Sequence, residues 1–350
     1  MSDEESQVNN HPVVHLSHGP YAAEIATYGG GLRSFTYRGL PLMEGYRDGE
    51  YPPLSANVVL APWPNRIRDG RFHFHGQPYQ LSITEPDRNN AIHGFVSDVM
   101  WDVVSHTDDA AAVTLATTIE PQQGWPWTLQ VTSTYELSDQ GLTCTCEITY
   151  PADTPGAGAV PVAYGFHSYL SALGAPIDEC TLDMFIRSQL PLDPDRKLPS
   201  GDVIDVTAGA SVRRIELRDQ LLDDCFGREA VSDREAVSDR EAVANSAPPE
   251  NASADTSPND VAPDIRAARL VNGDGHGVDM WVSPQIKWFQ VFTADPSWGY
   301  PYPRRGRALA VEPMTVPPDG FNSGTDVAEI APGDSLVVKW RIGYAEPLTR

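Results

Sequence analysis

Short apolar segments recur along the chain, and turn residues separate them. Residues 127–135 and 142–150 alternate between apolar and polar side chains. A period of two is typical of a strand that buries one face. Further runs rich in β-branched and aromatic residues are predicted to be strands too: 13–16, 21–25, 31–37 and 71–75.

Proline and glycine interrupt this pattern throughout. The 350 residues include 31 prolines and 28 glycines, which leaves little room for long helices. Turn pairs such as Asp69-Gly70 follow one another at roughly 8 to 15 residues, a spacing typical of a β-sandwich. The sequence therefore predicts an all-β fold of many antiparallel strands with few short helices.

Residues 228–264 depart from this pattern. The unit Arg-Glu-Ala-Val-Ser-Asp occurs twice from Arg228 and begins again at Arg240, and mostly small, polar or acidic residues follow. Such a segment buries too little apolar surface to offset its ordering entropy. We predict a disordered acidic insertion in a surface loop of one domain spanning residues 1–350. A tolerated expansion is the favoured interpretation, and an interaction tail is the alternative.

The charge balance narrows the choice of partners. Lys and Arg number 25 against 48 Asp and Glu, which gives a net charge of −23. An acidic surface repels phosphate backbones and anionic lipids, so neither nucleic acid nor a membrane is expected as a partner. The N-terminal stretch is acidic without an apolar run, and cysteines are few. A cytoplasmic protein with free thiols is therefore predicted.

Two loop segments carry candidate binding groups. Asn65 and Arg66 lie between prolines and a turn, and a guanidinium there offers a planar set of donors for hydroxyls or a carboxylate. His93 precedes Gly94, which lets the backbone approach a ligand closely. The structural alternatives are an arginine paired with Asp69 and a histidine that is satisfied within its loop.

Two strand segments carry a candidate acid–base pair. His167 lies in an apolar, aromatic run, where its surroundings can place its titration near neutrality. Glu312 follows the apolar run 308–311, and prolines after it are expected to end the strand there. A carboxylate held in this way suits a general base facing a cleft. A core histidine and a surface glutamate at a strand end are the structural alternatives.

The case for a metal is weak. His73 and His75 would share one face of a strand, but no third ligand accompanies them. Cys144 and Cys146 are better explained as small core residues. No metal and no cofactor are predicted.

Taken together and in order, these segments resemble the aldose 1-epimerase, or galactose mutarotase, family, in its bacterial branch. The resembling segments are 64–67 with Gly70, 92–94, 165–169 and 311–315, and residues 288–293 resemble the strand before the last of them. The likeness covers residues 21–344 apart from the insertion. It implies a β-supersandwich fold and interconversion of the α and β anomers of free aldohexoses such as galactose and glucose.

The resemblance also implies a role for each candidate residue. Glu312 removes the proton of the C1 hydroxyl while His167 protonates the ring oxygen, so that the C1–O5 bond opens. Rotation about C1–C2 and closure then give the other anomer. Arg66 and His93 hold the sugar, next to Asn65.

Sugar recognition involves further residues under the same resemblance. Asp223 is expected to bind two neighbouring hydroxyls, with Asp224 as the alternative. Trp63, Phe95 and Tyr164 are candidates for stacking on the pyranose. Two features depart from the family pattern: serine follows His167 where proline is common, and the insertion begins close to Asp223.

Two other functions stay open at this point. A hexose-6-phosphate epimerase of the same fold needs cations at its cleft, which Arg304, Arg305 and Arg307 supply only if their loop folds inward. A non-catalytic sugar-binding protein has no need for Glu312 and His167 together. The sequence sets neither the oligomeric state nor the preferred aldohexose.

Overall fold

The computed structural model describes residues 12–107, 111–154, 158–206, 212–229 and 262–348. Most of the predicted insertion, residues 230–261, lies outside this range, so its disorder stays a prediction. Strands dominate the described chain. In chain order they are β1 (Val13–His18), β2 (Tyr21–Ala26), β3 (Leu32–Tyr37), β4 (Leu40–Met43), β5 (Val59–Leu60), β6 (Arg66–Arg68), β7 (Arg71–Phe74), β8 (Gln77–Gln80), β9 (Asn90–Ile92), β10 (Asp102–Thr107), β11 (Ala112–Ile119), β12 (Leu129–Ser138), β13 (Gly141–Thr149), β14 (Val160–Val162), β15 (Gly165–Phe166), β16 (Tyr169–Leu170), β17 (Thr181–Met184), β18 (Ser188–Leu190), β19 (Ile204–Asp205), β20 (Arg213–Glu216), β21 (Asp223–Gly227), β22 (Ile265–Val271), β23 (Gly277–Val282), β24 (Trp288–Ala294), β25 (Ala308–Met314), β26 (Ala328–Ile330) and β27 (Ser335–Ala345).

Helices in the described residues are single turns. One four-residue α-helix, α1, spans Gly320–Ser323. The 3₁₀ turns are Pro53–Ser55, Pro86–Arg88, Ile177–Glu179 and Pro296–Trp298. Within the described ranges, no helix is long and apolar enough to cross a membrane. The prediction of an all-β fold with few short helices is confirmed.

Two large antiparallel sheets make up most of the described structure. The first runs in the order β1-β2-β3-β4-β16-β25-β24-β21-β18-β19, with β15 and β5 attached beside β25. The second runs in the order β10-β11-β12-β13-β27-β23-β22-β17-β20. The remaining strands form the pairs β14-β26, β6-β9 and β7-β8. The strands predicted at 13–16, 21–25, 31–37, 71–75, 127–135 and 142–150 are present, with ends that differ by up to three residues. The segment predicted to carry His167 as a strand is instead divided into β15 and β16, and His167 lies between them.

Both large sheets bury side chains in a common core. Leu32 and Phe35 of the first sheet and Tyr135 and Trp340 of the second belong to one buried apolar cluster. The Tyr135 hydroxyl donates a hydrogen bond of 2.6 Å to the carbonyl of Gly30. Burial of each such side chain stabilises the fold by about 1.5–3 kcal/mol. This shared core fixes the first sheet, and with it the side chains on that sheet's polar face.

The buried cysteines fit the same core. Cys144 and Cys146 lie on the inward face of β13, whose residues alternate between buried and half-buried. All four cysteines are free and buried. Their prediction as small core residues with free thiols is confirmed.

Candidate active site

A cleft of about 360 Å³ opens on the first sheet. The six side chains proposed from the sequence all line it: Asn65, Arg66, His93, His167, Asp223 and Glu312. They come from five separate segments of the chain, so tertiary structure alone brings them together.

Strand register explains why several of these groups share one face. In β24 and β25, Gln290 pairs with Glu312, and in β21 and β24, Asp223 pairs with Phe292. Gln290 and Phe292 are two residues apart, so they project to the same side of the sheet. The three neighbouring strands thereby present Asp223, Gln290, Phe292 and Glu312 to the cleft.

Glu312 does not end its strand, contrary to the expectation from the prolines after it. Strand β25 continues through Pro313 to Met314. The N–H groups of Val311 and Thr315 donate to Ser168 and Tyr164 on one side of β25. Pro313 lies between them on that side, where the neighbouring chain turns away to pair with β5. The N–H that proline lacks is therefore not needed, and the strand is not interrupted.

Glu312 and His167 form a buried pair. Their side chains are 3 % and 8 % exposed, and His167 Nε2 lies 3.4 Å from Glu312 Oε1. In the described structure, the other polar atom of each side chain, Glu312 Oε2 and His167 Nδ1, is buried and has no hydrogen-bond partner. The Ser168 hydroxyl donates to the carbonyl of Val311, which ties the histidine segment to β25. A buried polar atom without a partner costs about 1–3 kcal/mol, which is typical of a site kept free for a ligand.

Burial shifts the two pKa values in opposite directions. It raises the pKa of Glu312 to about 8, with the nearby Asp223 charge adding to the effect and Arg66 opposing it. Burial likewise lowers the pKa of His167 to about 4. Both shifts favour neutral groups. At neutral pH the empty site therefore holds a protonated Glu312 carboxyl group and a neutral His167 imidazole, so the single titratable proton of the pair lies on Glu312.

Asn65 and His93 hold each other in place. The Asn65 N–H donates to His93 Nδ1 at 3.2 Å, and the His93 N–H donates to the Asn65 carbonyl at 3.0 Å. Both residues have positive φ, a conformation that asparagine tolerates better than most residues. Gly94 next to them has no room for a side chain, because a Cβ there would lie 2.0 Å from the Ala61 carbonyl oxygen. The glycine thus permits a close approach to the chain's own backbone.

Arg66 has a carboxylate partner that the sequence did not indicate. Its Nε and Nη2 atoms each donate to Glu85 at 2.8 Å. Glu85 also accepts from Arg88 at 3.0 Å and from Asn90 at 2.9 Å. The alternative partner, Asp69, instead accepts from Arg196. Glu85 therefore fixes the plane of the Arg66 guanidinium at the cleft.

Asp223 lines the cleft at the start of β21, next to two groups that sequence reasoning missed. Gln290 Nε2 donates to it at 2.7 Å, and Lys197 Nζ lies 3.4 Å from its second oxygen. Asp224 accepts from Gln189 instead and is not part of the cleft lining. A signal was available for Gln290, which is the one amide in the mostly apolar segment 288–294.

The aromatic residues of the cleft differ from those expected. Trp63 and Tyr164 are core residues, and the Tyr164 hydroxyl accepts from Trp340. Phe95 packs edge-on against Trp63, with ring centroids 4.7 Å apart. None of these three is among the residues lining the described cleft, whose aromatic lining is instead Tyr169, Phe292, Trp298 and Tyr300.

The geometry of His93, His167 and Glu312 resembles a metal site, since one candidate ligand atom from each lies within 4.8 Å of the others. A histidine ligand normally donates its other ring N–H to an acceptor. His93 does the reverse, because its Nδ1 accepts from the Asn65 N–H. The neutral ring then carries its proton on Nε2, so His93 is suited to donate a hydrogen bond and not to bind a metal.

The three arginines considered for a phosphate site point elsewhere. Arg304 pairs with Glu50, Arg305 with Glu44, and Arg307 with Asp178 and Asp295. None of them is among the residues lining the described cleft. Their loop supplies no cation to this site.

The insertion begins away from Asp223. Strand β21 starts at Asp223 and ends at Gly227, so its ends lie roughly 13 Å apart at 3.3 Å per residue. Arg228 follows, and its guanidinium donates to the carbonyl of Pro284 at 3.0 Å. The chain therefore enters the insertion from the end of β21 opposite to Asp223.

Solved structures share this fold. A galactose mutarotase-like protein from Clostridium acetobutylicum superimposes with a TM-score of 0.75 at 18 % identity, covering 99 % of this chain and 98 % of that one. A galactose 1-epimerase from Lactobacillus acidophilus gives a TM-score of 0.69 at 18 % identity, covering 99 % and 98 %. The predicted galactose mutarotase-like β-supersandwich is confirmed.

The sequence places the chain within one family. The family model described as aldose 1-epimerase matches residues 12–343, so the chain belongs to the aldose 1-epimerase family. A curated relative is the uncharacterized protein YihR of Escherichia coli, 28 % identical over 330 residues that cover 91 % of this chain and 89 % of that protein. The predicted family membership is confirmed.

Proposed function

We propose that this protein is an aldose 1-epimerase that interconverts the α and β anomers of free aldohexoses, with galactose and glucose as the first candidates. The observation that carries the proposal is the buried Glu312–His167 pair, which keeps polar atoms without partners inside a sugar-sized cleft. A binding protein without catalysis gains nothing from such a pair. Family membership supports the same reaction class.

Ring opening needs one group that accepts a proton and one that donates a proton. Glu312 accepts the proton of the C1 hydroxyl, and His167 delivers a proton to the ring oxygen. The C1–O5 bond breaks as C1–O1 becomes a carbonyl, and no net proton is gained or lost. Rotation about C1–C2 and closure with the roles reversed give the other anomer. Each such group contributes on the order of 10²–10⁴ in rate.

The protonation states of Glu312 and His167 are consistent with this route. In the empty site the single proton rests on Glu312, so it must pass to His167 before Glu312 can act as the base. The two groups are 3.4 Å apart, so a small approach of the side chains brings them within reach of a direct transfer. A sugar bound against both side chains donates its C1 hydroxyl to the carboxylate and accepts at its ring oxygen from the imidazolium, so binding favours the charged forms.

Fixed hydrogen-bond donors surround the pair. Arg66 is held in plane by Glu85, and His93 is held by Asn65 with its Nε2 proton available. Donors fixed in advance stabilise charge that develops at the ring oxygen without reorganising. Asp223, oriented by Gln290 and Lys197, accepts from sugar hydroxyls.

The charges of the cleft favour a neutral sugar over a sugar phosphate. Besides Glu312, which holds a proton in the empty site, the lining has the carboxylates Glu85, Asp87 and Asp223 against Arg66 and Arg88. Both arginines already pair with Glu85. A phosphate dianion placed here would find no cation of the lining without a carboxylate partner.

Polarimetry tests the proposal directly. Freshly dissolved α-D-galactose and α-D-glucose are followed in a weakly catalytic buffer, with and without the protein. We expect a faster approach to the same final rotation, and the ratio of the two rates ranks the sugars. An unchanged rate with both sugars would contradict the proposal, and acceleration with glucose 6-phosphate alone would favour the phosphate epimerase.

A further inference from the structure

One short segment of the chain contacts the surroundings of both proposed sugar-binding groups, Arg66 and Asp223. Residues 193–198 lie between β18 and β19, and none of them lines the described cleft. On one side, Lys197 Nζ lies 3.4 Å from Asp223 Oδ2. On the other side, the segment bonds to residues 88–90, which supply two hydrogen bonds to the carboxylate partner of Arg66. Because β6 and β21 belong to different sheets, this segment connects two separate parts of the site.

The side chain of Arg196 bonds along residues 88–90. Its Nε donates to the carbonyl of Arg88 at 2.9 Å. Its Nη2 donates to the carbonyl of Asn89 at 2.9 Å and to Asn90 Oδ1 at 3.1 Å. A guanidinium has several donors in one plane, which allows a single side chain to bind several acceptors at once. Arg196 therefore grips both the backbone and a side chain of this turn.

The turn also donates back to the segment. Arg88 Nε donates to the carbonyl of Asp195 at 3.0 Å, and Asn90 Nδ2 donates to the carbonyl of Arg196 at 3.2 Å. Both donor side chains reach Glu85 as well, Arg88 through Nη1 at 3.0 Å and Asn90 through Nδ2 at 2.9 Å. The two side chains that orient the Glu85 carboxylate are thus bonded to the segment in both directions.

The backbone of the segment is held in an uncommon conformation at Lys197. This residue has a φ of 57°, in the left-handed region that favours glycine. Asp193 supports the conformation, since its Oδ1 accepts from the Arg196 N–H at 2.6 Å and its Oδ2 from the Leu198 N–H at 3.0 Å. A lysine persists in this region only where its surroundings hold it there. The place of its ammonium beside Asp223 therefore depends on how the segment is attached.

We propose that Arg196 is a positioning residue for sugar binding. It fastens the segment that carries Lys197 to the turn that orients Glu85. The Arg66 guanidinium and the Asp223 carboxylate are thereby held at a fixed separation. Two binding groups that are fixed in advance lose less freedom when a sugar binds, so the affinity depends on this connection. The inference rests on the proposed function, because it takes Arg66 and Asp223 as the groups that bind the sugar.

The reacting pair is attached to the fold by other contacts. Glu312 lies within β25, and the Ser168 hydroxyl ties the segment of His167 to the same strand. Loss of Arg196 should therefore weaken sugar binding and leave the chemical step nearly unchanged.

The experiment separates affinity from catalysis. Calorimetric titration with galactose at its anomeric equilibrium gives Kd, and polarimetry gives kcat. Arg196→Met should raise Kd about tenfold and change kcat less than about threefold. Arg196→Lys keeps the charge but lacks the planar fork, so it should raise Kd about threefold. Lys197→Met should also raise Kd, and combined with Arg196→Met it should raise Kd by less than the product of the two single effects.

The matched control is Arg304→Met. The Arg304 side chain is 37 % exposed against 32 % for Arg196, and it pairs with Glu50 away from the cleft lining. The control should change neither Kd nor kcat. Circular dichroism checks the folding of every variant, and Arg196→Lys carries the test should the methionine variant not fold.

The outcomes distinguish the inference from the proposed function. An unchanged Kd in folded Arg196 variants overturns the inference and leaves the proposed function intact. A fall in kcat as large as the rise in Kd also overturns it, because Arg196 would then serve the whole site. A wild type that binds galactose without accelerating mutarotation contradicts the proposed function alone, and Kd still decides the role of Arg196. A wild type that neither binds nor accelerates galactose contradicts both.

Discussion

Two buried glutamates, Glu44 directly after β4 and Glu312 within β25, have very different surroundings. Glu44 is 5 % exposed and Glu312 is 2 % exposed. Glu44 Oε1 accepts from Ser171 at 2.9 Å and from Arg305 at 3.0 Å. Glu312 has only His167 at 3.4 Å, and its Oε2 atom has no partner in the described residues. Equal burial therefore accompanies a satisfied carboxylate in one place and an unsatisfied one in the other.

The neighbouring groups determine how far burial changes the pKa of each carboxylate. Burial raises the pKa of both, but Arg305 and Ser171 oppose the shift at Glu44. At Glu312 Asp223 adds to the shift and Arg66 alone opposes it, so the pKa rises to about 8. Glu44 is paired within the fold, whereas Glu312 retains a proton at neutral pH and a lone oxygen for a ligand.

The largest expected effect separates the two residues by activity. Glu312→Gln should lower kcat/KM for galactose by about 10²–10⁴, because the amide cannot accept a proton. Glu44→Gln, an equally buried isosteric change, should retain activity within a few-fold. Polarimetry measures both, with circular dichroism to check folding. Near wild-type rates in folded Glu312→Gln protein would remove Glu312 from the mechanism.

The pH profile of the reaction should show the shared proton. Below about pH 4 both groups are protonated and no base remains, and above about pH 8 neither donates. We expect a bell-shaped dependence of kcat/KM with limbs near these values, falling about tenfold per pH unit beyond each limb. The background rate, which buffer and hydroxide raise, is subtracted at each pH. A profile that stays flat from pH 4 to pH 9 would contradict the assignment.

Two arginine–glutamate ion pairs have the same two-pronged geometry but differ in where they lie. Glu85 holds Arg66 through two hydrogen bonds at the cleft, and Glu50 holds Arg304 in the same two-pronged way at the exposed surface. Glu85→Gln should raise KM about tenfold, because the guanidinium loses its charged anchor. Glu50→Gln should change neither KM nor kcat, since exposed ion pairs contribute little. Equal effects of the two variants would show that Glu85 does not position Arg66.

Local sequence pattern was sufficient for much of the fold and part of the site. The alternation along β12 and β13 predicts strands because one face is buried, and the structure shows that burial. The short polar motifs predicted that Arg66, His93 and Glu312 converge. These motifs resemble family segments that form one site, although they lie far apart in the sequence. A strand or a family motif can therefore be recognised in the sequence without knowing which strands pair.

The remaining features depend on which strands pair and on which side of the sheet each side chain lies. The local sequence pattern encodes neither. Gln290 lies 67 residues from Asp223 in sequence, and only the β21–β24 register brings them together. Tyr164 was placed at the sugar because it stands in a site motif, yet the side chain points into the core. Pro313 was expected to end a strand, but the neighbouring chain leaves β25 at that point.

Stability should distinguish Glu312 from Glu44 with opposite signs. The folded pKa of Glu312, about 8, lies above its ordinary value of 4.5, so folding takes up a proton between these pH values. The contribution of Glu312 to stability is therefore full below pH 4.5 and is lost as the pH rises toward 8. Relative to the Glu312→Gln variant, the wild type should lose about 1.4 kcal/mol per pH unit in this window.

Glu44→Gln should instead destabilise the protein at pH 7 by about 1–3 kcal/mol, because Arg305 keeps its charge but loses its carboxylate partner. Urea unfolding of the three proteins at pH 5, 6 and 7 gives both quantities. Glu312→Gln should become increasingly more stable than the wild type over this series. A constant difference across the three pH values would mean that Glu312 is already ionised in the folded protein, and the alkaline limb of the rate profile would then need another origin.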